Sequence, residues 1–353
     1  MHLGTAASCC KAYSVPLTKY NTLHDLREFW RQEHQQMSEG HAVESCTVCW
    51  QQESQDKISY RQLQPGAGID QIELFIDNAC NQMCSYCSPK FSSEWQTNIA
   101  QHGAFSGVSR KTNLNHQIVT SFIDPEFWIY QVQQYIRSQP ANSVVVKLLG
   151  GEPLMQFRHL QKLLEFNSER VAQLRINTNL NPPSNKFLKW LLDSVPREKL
   201  WFDISLDASL EFNHVPRAGF CAKRFSENLA LIQLHQVGYS LMSVVSILNI
   251  FDIQNLIGWA NQHQHNLEFF PLNNPDCLDV KLLPQQFVEK IDTSNFPKFA
   301  IEALSSCKQN IDIKLLEQYN YLKQYFQRTD TDPDNTANPA FGEYWYWLTE
   351  RFR

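Results

Sequence analysis

The sequence predicts an α/β protein built on a parallel sheet, a partial (β/α)6 barrel. Six strand-like segments between residues 69 and 274 alternate with helical segments whose apolar residues recur three or four positions apart. One of these strands, SVVVKLL, is a continuous apolar run rich in valine, which is typical of a strand buried on both faces. Strands that alternate with helices form parallel sheets through right-handed crossovers, so six such units predict a barrel-like or partly open array.

The first 65 residues are polar and rich in Gln, Glu and His. A helix is predicted over residues 23–37, because its apolar residues, beginning with Leu23 and Leu26, are spaced for a single face. The segment QPGAGID, residues 64–70, is a turn signal and marks the predicted end of this first module.

The six strands follow in order along the chain. They are IDQIELFID (69–77), SVVVKLLGGEP (143–153), QLRINTNL (173–180), LWFDISLDA (200–208), YSLMSVVSILN (239–249) and NLEFFPLNN (266–274). Helices are predicted between them over residues 160–167, 185–192, 225–235 and 252–263. Residues 91–142 are a long insertion after the first strand, with a helix predicted around residues 125–137.

Beyond the sixth strand the periodicity weakens. The segment TDTDPDNTANP, residues 329–339, is predicted to be a polar linker, and the aromatic tail EYWYWLTERF is predicted to pack onto the body of the protein. The predicted organisation is therefore an N-terminal module over residues 1–65, a core over residues 66–275 and a helical or irregular extension over residues 276–353.

Length and composition describe an ordinary globular protein. The chain has 353 residues, of which 43% are hydrophobic, and a formal net charge of −5, so it can bury a core and presents no basic surface for nucleic acid. No stretch approaches the ~18 apolar residues of a membrane span, and the N-terminus is too polar for a secretory signal. We therefore expect a cytoplasmic protein, in which cysteines are reduced unless metal or catalysis uses them.

Three cysteines, Cys80, Cys84 and Cys87, lie within eight positions at the end of the first predicted strand. Clustered cysteines are typical of metal ligands, whereas isolated ones are usually small buried apolar residues. Three thiolates can hold three irons of a [4Fe-4S] cubane and leave the fourth iron open to a small chelating molecule. The spacing alone also allows a zinc site completed by a distant histidine.

A second motif ends the second strand. It consists of Gly150, Gly151, Glu152 and Pro153. Glycines let the backbone approach a ligand closely, and a carboxylate can accept a hydrogen bond from an ammonium group. Alone, these four residues would be an ordinary turn.

Polar side chains also follow the next strands. They are Asn177 and Asn179 after the third strand, Ser205 and Asp207 after the fourth, and then Arg217. Each could be a structural residue, either a cap or a surface charge. Ligands of parallel α/β folds collect at this edge of the sheet, however, and the guanidinium of Arg217 suits a carboxylate.

The spacing C-x3-C-x2-C after a first strand, with GGEP after the second, resembles the radical S-adenosylmethionine (radical SAM) superfamily. The resemblance covers residues 69 to about 271, with only a few matching positions in the first 65 residues and hardly any in the last 80. It implies a TIM-like barrel with a [4Fe-4S] cluster on Cys80, Cys84 and Cys87. S-Adenosylmethionine would chelate the open iron and be cleaved reductively to a 5′-deoxyadenosyl radical, which abstracts hydrogen from a substrate.

The resemblance also implies a cofactor pocket. Its residues would be Tyr86, Gly150, Gly151, Glu152, Pro153, Asn177, Asn179, Ser205, Asp207 and Arg217. Tyr86 would lie against the adenine, and a role as a core ring accounts for it nearly as well. The implied partner is an external electron donor of the flavodoxin or ferredoxin type.

Four further cysteines lie in the N-terminal module. They are Cys9, Cys10, Cys46 and Cys49. The segments FSSEW (91–95) and INTNL (176–180) resemble a subgroup with a twitch domain, a half-sized relative of the SPASM module that holds one additional cluster. By this resemblance the four cysteines would bind a second iron–sulfur cluster.

A structural zinc site is the alternative for these four cysteines, because it fits the C-x-x-C pair equally well. Neighbouring side chains diverge, so either Cys9 or Cys10 could be a bystander. The doublet follows only eight residues, which indicates a trimmed module or a misplaced start codon.

The predicted function is thus that of a radical SAM enzyme. Analogy with the family favours a peptide or protein side chain as substrate. The alternative is a non-catalytic zinc- or iron–sulfur-binding scaffold or electron-transfer protein, which the colour and metal content of the purified protein would distinguish.

Overall fold

The computed structural model describes residues 5–9, 12–56, 58–59, 62, 70–75, 77–109, 112, 124–164, 169–272, 274–307, 312–333 and 338–352. The strands are β1 (Thr5–Ala6), β2 (Val15–Pro16), β3 (Asp70–Phe75), β4 (Met83–Cys84), β5 (Val144–Leu149), β6 (Val171–Thr178), β7 (Leu200–Ser205), β8 (Arg217–Ala218), β9 (Gly238–Val245) and β10 (Leu267–Pro271). Six of them form one sheet in the order β10-β9-β7-β6-β5-β3. This parallel α/β sheet confirms the predicted fold class.

Helices lie between and after these strands. They are α1 (Leu23–Ser38), α2 (Thr47–Glu53), α3 (Ser93–His102), α4 (Pro125–Ser138), α5 (Phe157–Leu164), α6 (Lys186–Ser194), α7 (Ala222–Leu234), α8 (Ile253–Gln262), α9 (Gln285–Val288), α10 (Lys298–Ser305), α11 (Asp312–Thr329) and α12 (Pro339–Phe352). None of the described helices is both long enough and apolar enough to cross a membrane.

Local sequence signals fix several of these helix ends. Thr22 and Asp25 form a capping box at the start of α1, with Asp25 N donating to Thr22 Oγ1 at 3.2 Å and Thr22 N donating to Asp25 Oδ2 at 3.1 Å. Asp124 caps α4 by accepting from Glu126 N at 2.9 Å, and Pro125 follows at the first helical position, where its missing N–H costs nothing.

Two parts of the sequence differ from the prediction. The insertion contains α3, for which no element was predicted, and the C-terminal extension is more regular than expected because it contains α11 and α12. The predicted linker over residues 329–339 agrees with the helix ends, since Thr329 ends α11 and Pro339 begins α12. The predicted turn at residues 64–70 lies almost wholly outside the described residues.

The chain divides into two compact units, of which the first contains residues 1–77, 119–149 and 156–174. In this unit β3 pairs with β5 in parallel, from Asp70 opposite Val144 to Phe75 opposite Leu149. Its N-terminal segment has a small apolar core of its own. Leu17, Leu26 and Trp128 are its buried members.

The second unit contains residues 78–118, 150–155 and 175–353. Here β9 pairs in parallel with β7 and with β10. Its core is rich in aromatic rings, many of them supplied by α11 and α12. The aromatic tail packs as predicted, because one face of α12 is buried in this core through Phe341, Tyr344, Trp345 and Leu348.

Candidate active site at the cysteine loop

The cysteine loop, residues 78–91, lies in the second unit. Cys80 and Cys84 are buried and Cys87 is half-buried. Burial raises the pKa of Cys80, and Cys84 and Cys87 raise it further. The three predicted cluster ligands thus lie on one loop, at positions 80, 84 and 87.

The middle of the loop is held by a short ladder. Strands β4 and β8 pair in antiparallel fashion, which places Cys84 opposite Arg217. The pairing of the two segments continues one residue beyond Cys84, because Ser85 N donates to Pro216 O at 2.9 Å. This ladder brings Arg217, which is distant in the sequence, to the cysteine loop.

The start of α3 supports the loop from one side. Ser93 Oγ accepts from Cys80 N and donates to Cys80 O, each at 3.1 Å. Ser92 caps α3 by accepting from Trp95 N at 3.2 Å, and Trp95 Nε1 donates to Cys84 O at 2.9 Å. The FSSEW segment thus acts by fixing the backbone of two of the three cysteines.

The GGEP turn supports the loop from a second side. Gly151 has φ +53°, and a Cβ on it would lie 2.5 Å from Ala79 O. Glu152 N donates to the same oxygen at 2.7 Å. The glycine is therefore required by close approach to the backbone that precedes Cys80.

The carboxylate of Glu152 is fully buried and heavily hydrogen-bonded. It accepts from Thr178 Oγ1 at 2.6 Å, from Asn179 N at 2.6 Å and from Leu154 N at 2.9 Å. Burial raises the pKa of Glu152, while these donors lower it. A carboxylate offers about four acceptor positions, so about one is left for an ammonium group of a ligand.

Two asparagines follow at the end of β6. Asn179 Nδ2 lies 3.9 Å from Cys80 Sγ and 3.2 Å from Asn81 Oδ1, so its amide faces the first cysteine. The side-chain oxygen of Asn177 is buried and has no hydrogen-bond partner among the described residues. A buried polar atom without a partner carries a free-energy cost, and a ligand donor would remove it.

Tyr86, Asp207 and Arg217 form one hydrogen-bonded group, in which Asp207 and Arg217 are buried and Tyr86 is half-buried. Tyr86 Oη donates to Asp207 Oδ2 at 2.5 Å, and Arg217 Nη1 lies 2.6 Å from Tyr86 Oη and 3.1 Å from Asp207 Oδ2. Val244 N donates to the other carboxylate oxygen at 2.8 Å. A ligand carboxylate would therefore share the guanidinium of Arg217 with Asp207.

This group sets the charge beside the cysteines. Burial would lower the pKa of Arg217, but Cys84, Tyr86 and Asp207 raise it well above its usual range. Burial raises the pKa of Cys84 to about 12, and Arg217 acts against that rise. Because a thiol must lose its proton to bind a metal, a permanent cation beside Cys84 favours the form that binds iron.

The other predicted site residues are placed as follows. Gly150 and Pro153 flank the glycine–glutamate pair, and Ser205 is the half-buried last residue of β7. No three His, Cys, Asp or Glu side chains in the described part of the chain form a group that could hold a single metal ion. The thiols of a cubane bind separate irons, so they need not meet at a single point.

The N-terminal cysteines belong to the first unit and are described only in part. Cys46 is the N-cap of α2 and the buried Cys49 lies one turn later, a spacing that places both on one face. Tyr13 N donates to Ser45 O at 2.9 Å, which brings the segment that follows Cys9 close to this pair. Cys10 lies outside the described residues. The second cluster stays a prediction.

Several residues at the site were not predicted. Gln82 is buried beside Cys84 and Arg217, and two tyrosines of α11, Tyr321 and Tyr325, bond to the loop backbone. Their spacing, four residues apart in an aromatic-rich segment, signals only a buried helix face. Nothing in the sequence indicates which loop such a face would contact.

Known proteins that match this chain were found among solved structures. No family model and no curated protein matches it. A solved structure of anSMEcpe, an anaerobic sulfatase-maturating enzyme, with bound AdoMet is 16% identical, with 59% of this chain and 52% of that chain covered and a TM-score of 0.41. SuiB of Streptococcus suis bound to S-adenosylmethionine is 12% identical, with 85% and 59% covered and a TM-score of 0.42.

SuiB has also been solved bound to its precursor peptide SuiA. That structure is 13% identical, with 77% of this chain and 49% of that chain covered and a TM-score of 0.41. The matched region spans only 49% to 59% of the length of these three solved chains. Both proteins are radical SAM enzymes, the class that the sequence motifs resemble.

Proposed function

We propose that this chain is a radical SAM enzyme whose catalytic centre is the cysteine loop. The observation that carries the proposal is the set of three thiols on one loop, whose backbone is held by Ser93 and Trp95 and which has Arg217 paired opposite Cys84. Three soft thiolates are the ligands that an iron–sulfur cluster prefers. When bound, the [4Fe-4S] cluster supplies the electron for the reductive cleavage of S-adenosylmethionine.

The residues around the loop suit the amino-acid end of that nucleotide. The remaining acceptor position of Glu152 suits its ammonium group, and the unpaired oxygen of Asn177 offers a second acceptor. Arg217 supplies positive charge, and Asp207 and Tyr86 hold it in place. Ser205 and Asn179 complete the predicted pocket.

The protein contributes orientation and shielding to this chemistry. Half of the ten residues of the proposed pocket are buried, with Glu152 and Asp207 both 0% exposed, and none is exposed, so a radical formed there would be shielded from water. A peptide or protein side chain as substrate, and a flavodoxin or ferredoxin as electron donor, are part of the proposal on family resemblance.

The test is anaerobic reconstitution with iron and sulfide, followed by incubation with S-adenosylmethionine and dithionite. We expect 5′-deoxyadenosine from the wild type and none from Cys84→Ala. Cys307→Ala is the matched control, because this half-buried thiol bonds to Val280 O at 3.5 Å, outside the site. It should retain the activity.

Two results would contradict the proposal. A colourless protein with stoichiometric zinc would favour the scaffold, and a brown protein that leaves S-adenosylmethionine intact would favour an electron-transfer protein. Equal losses in Cys84→Ala and Cys307→Ala would show that the assay reports general damage to the fold.

A further inference from the structure

Three consecutive peptide carbonyls of the cysteine loop, at residues 83–85, each lie within hydrogen-bonding distance of a buried aromatic donor. Trp95 Nε1 donates to Cys84 O at 2.9 Å, and Tyr321 Oη donates to Ser85 O. Tyr325 Oη has a single proton, which it shares between Val215 O at 2.9 Å and Met83 O at 3.2 Å, so it joins both sides of the β4–β8 ladder. Two of the three donors therefore come from the C-terminal helix α11.

These donors belong to one packed group of rings. Phe105 stacks on Tyr321 at 5.1 Å between ring centroids, and Trp95 lies 5.8 Å from Phe105 and 6.1 Å from Tyr325. All four rings are at most 4% exposed. Such packing leaves the donor atoms little freedom to move away from the loop.

A second face of α11 fixes the helix along its length. Its side chains at positions 317, 320, 324 and 328 bond to the backbone of residues 103–109. Gln324, for example, accepts from Ser106 N at 2.9 Å and donates to Ser106 O at 2.8 Å. The spacing of three and four residues places this row on one side of the helix. The tyrosines are thus held in register with the cysteine loop.

The hydrogen bonding of these carbonyls would affect the reduction potential of a cluster held by the loop. A carbonyl oxygen carries partial negative charge, and a reduced cluster with three thiolates is already negative. Loss of a donor would leave more of that carbonyl's negative charge uncompensated on the loop that would hold the cluster, and this charge would disfavour the added electron, since hydrogen bonding and nearby charge set cluster potentials. A carbonyl that stays buried without a donor would instead cost loop stability.

We propose that Tyr321 and Tyr325 are positioning residues that hold the backbone of the cysteine loop in place. The C-terminal helix α11 is then part of the site that would hold the cluster. The inference rests on the proposed function, because it concerns the potential of the cluster that the loop would hold. It assigns a role to a segment that shows hardly any resemblance to the family.

The test uses the full-length chain with Tyr321→Phe and Tyr325→Phe, reconstituted in parallel with the wild type. Each change keeps the ring and removes one donor. Tyr319→Phe is the matched control, because this tyrosine lies on the same helix, is 5% exposed and stacks on Trp345. The readouts are iron content and a redox titration followed by electron paramagnetic resonance.

We expect Tyr321→Phe to lower the potential of the cluster. At a fixed ambient potential the ratio of reduced to oxidised cluster should fall about threefold, which is about 28 mV for a one-electron couple. Tyr325→Phe should shift the potential in the same direction or reduce the iron content, and Tyr319→Phe should do neither.

The outcomes separate this inference from the proposed function. A wild type that holds no cubane would overturn both. A wild type that cleaves S-adenosylmethionine, with the potential and iron content unchanged in both tyrosine variants, would overturn only the role of α11. Loss of the fold in both variants, judged by circular dichroism, would also contradict it, because the hydroxyls would then support the whole unit.

Discussion

Buried polar groups around the cysteine loop fall into two kinds, those already bonded within the protein and those left open. Asn181 is of the first kind, because its side chain accepts from Cys221 N at 3.0 Å and donates to Cys221 O at 2.9 Å. Asn177 is of the second kind, since its buried side-chain oxygen has no partner in the described part of the chain. The first should serve stability and the second should serve binding.

Asn177→Ala should therefore weaken S-adenosylmethionine binding with little effect on stability. Loss of one hydrogen bond, about 0.5–1.5 kcal/mol, corresponds to roughly a 2- to 13-fold rise in Kd. Calorimetric titration of the reconstituted protein measures the affinity, and urea unfolding measures the stability.

Asn181→Ala is the matched control with the opposite expectation. It removes the acceptor of the half-buried Cys221 N, whereas Cys221 O still accepts from Phe225 N at 3.0 Å, so it should lower the free energy of unfolding by about 1 kcal/mol. If Asn177→Ala destabilised the protein as much and bound the nucleotide normally, the assignment of Asn177 to the pocket would be wrong.

Among the structural elements, the GGEP turn packs directly against the backbone of the cysteine loop. Gly151→Ala should disrupt both, because its new Cβ would meet two backbone atoms of Ala79, at 2.5 Å and 3.0 Å. The left-handed φ of +53° adds a strain of about 1–3 kcal/mol. We expect a lower unfolding midpoint in urea and a lower iron content after reconstitution.

Gly258→Ala is the control for this substitution. Gly258 lies inside α8, and among the described residues no heavy atom outside its own helix lies within 4 Å of the position that a Cβ would take. The change should stabilise the protein by about 0.5–1 kcal/mol through helix propensity. If the two alanine variants behaved alike, close contact at Gly151 would not be the reason for its glycine.

The sequence was informative about elements with a strong local signal. The run Val144–Val146 and the periodic helices α6, α7 and α8 were predicted from apolar spacing alone. Helix α3 was missed because its ten residues have little apolar periodicity, although Ser92 followed by Glu94 is a helix-start signal.

The candidate site was predictable in its residue types and not in its partners. The thiols, the GGEP turn and Arg217 could be singled out because their chemistry is unusual at strand ends. That Arg217 pairs with Asp207, and that Tyr325 reaches Met83 O, depends on contacts between segments 10 and 242 residues apart. Periodicity carries no information on such contacts.

For the molecule as a whole, the N-terminal cysteines determine whether the protein holds one iron–sulfur cluster or two. Cys80, Cys84 and Cys87, the proposed ligands of the catalytic cluster, lie in the second unit, while Cys9, Cys46 and Cys49 lie in the first. If the N-terminal cysteines bind a cluster, the double variant Cys46→Ala/Cys49→Ala should lose the iron of one cubane and keep the other. Iron and sulfide analysis measures this, with Cys307→Ala as the control.

Two other results would show that the N-terminal cysteines bind no iron–sulfur cluster. Unchanged iron with a loss of zinc would assign the N-terminal cysteines to a structural zinc site. Unchanged iron and zinc would leave Cys49 as a buried thiol of α2.

The proposed chemistry depends on one iron of the cluster having a coordination position that no protein side chain fills. The most direct measurement is the electron paramagnetic resonance spectrum of the reduced, reconstituted protein, recorded with and without S-adenosylmethionine. We predict that the nucleotide changes the signal of the wild-type cluster, because it binds the open iron. A signal that is identical in both samples, from a protein that holds an intact cubane, would contradict the proposed function.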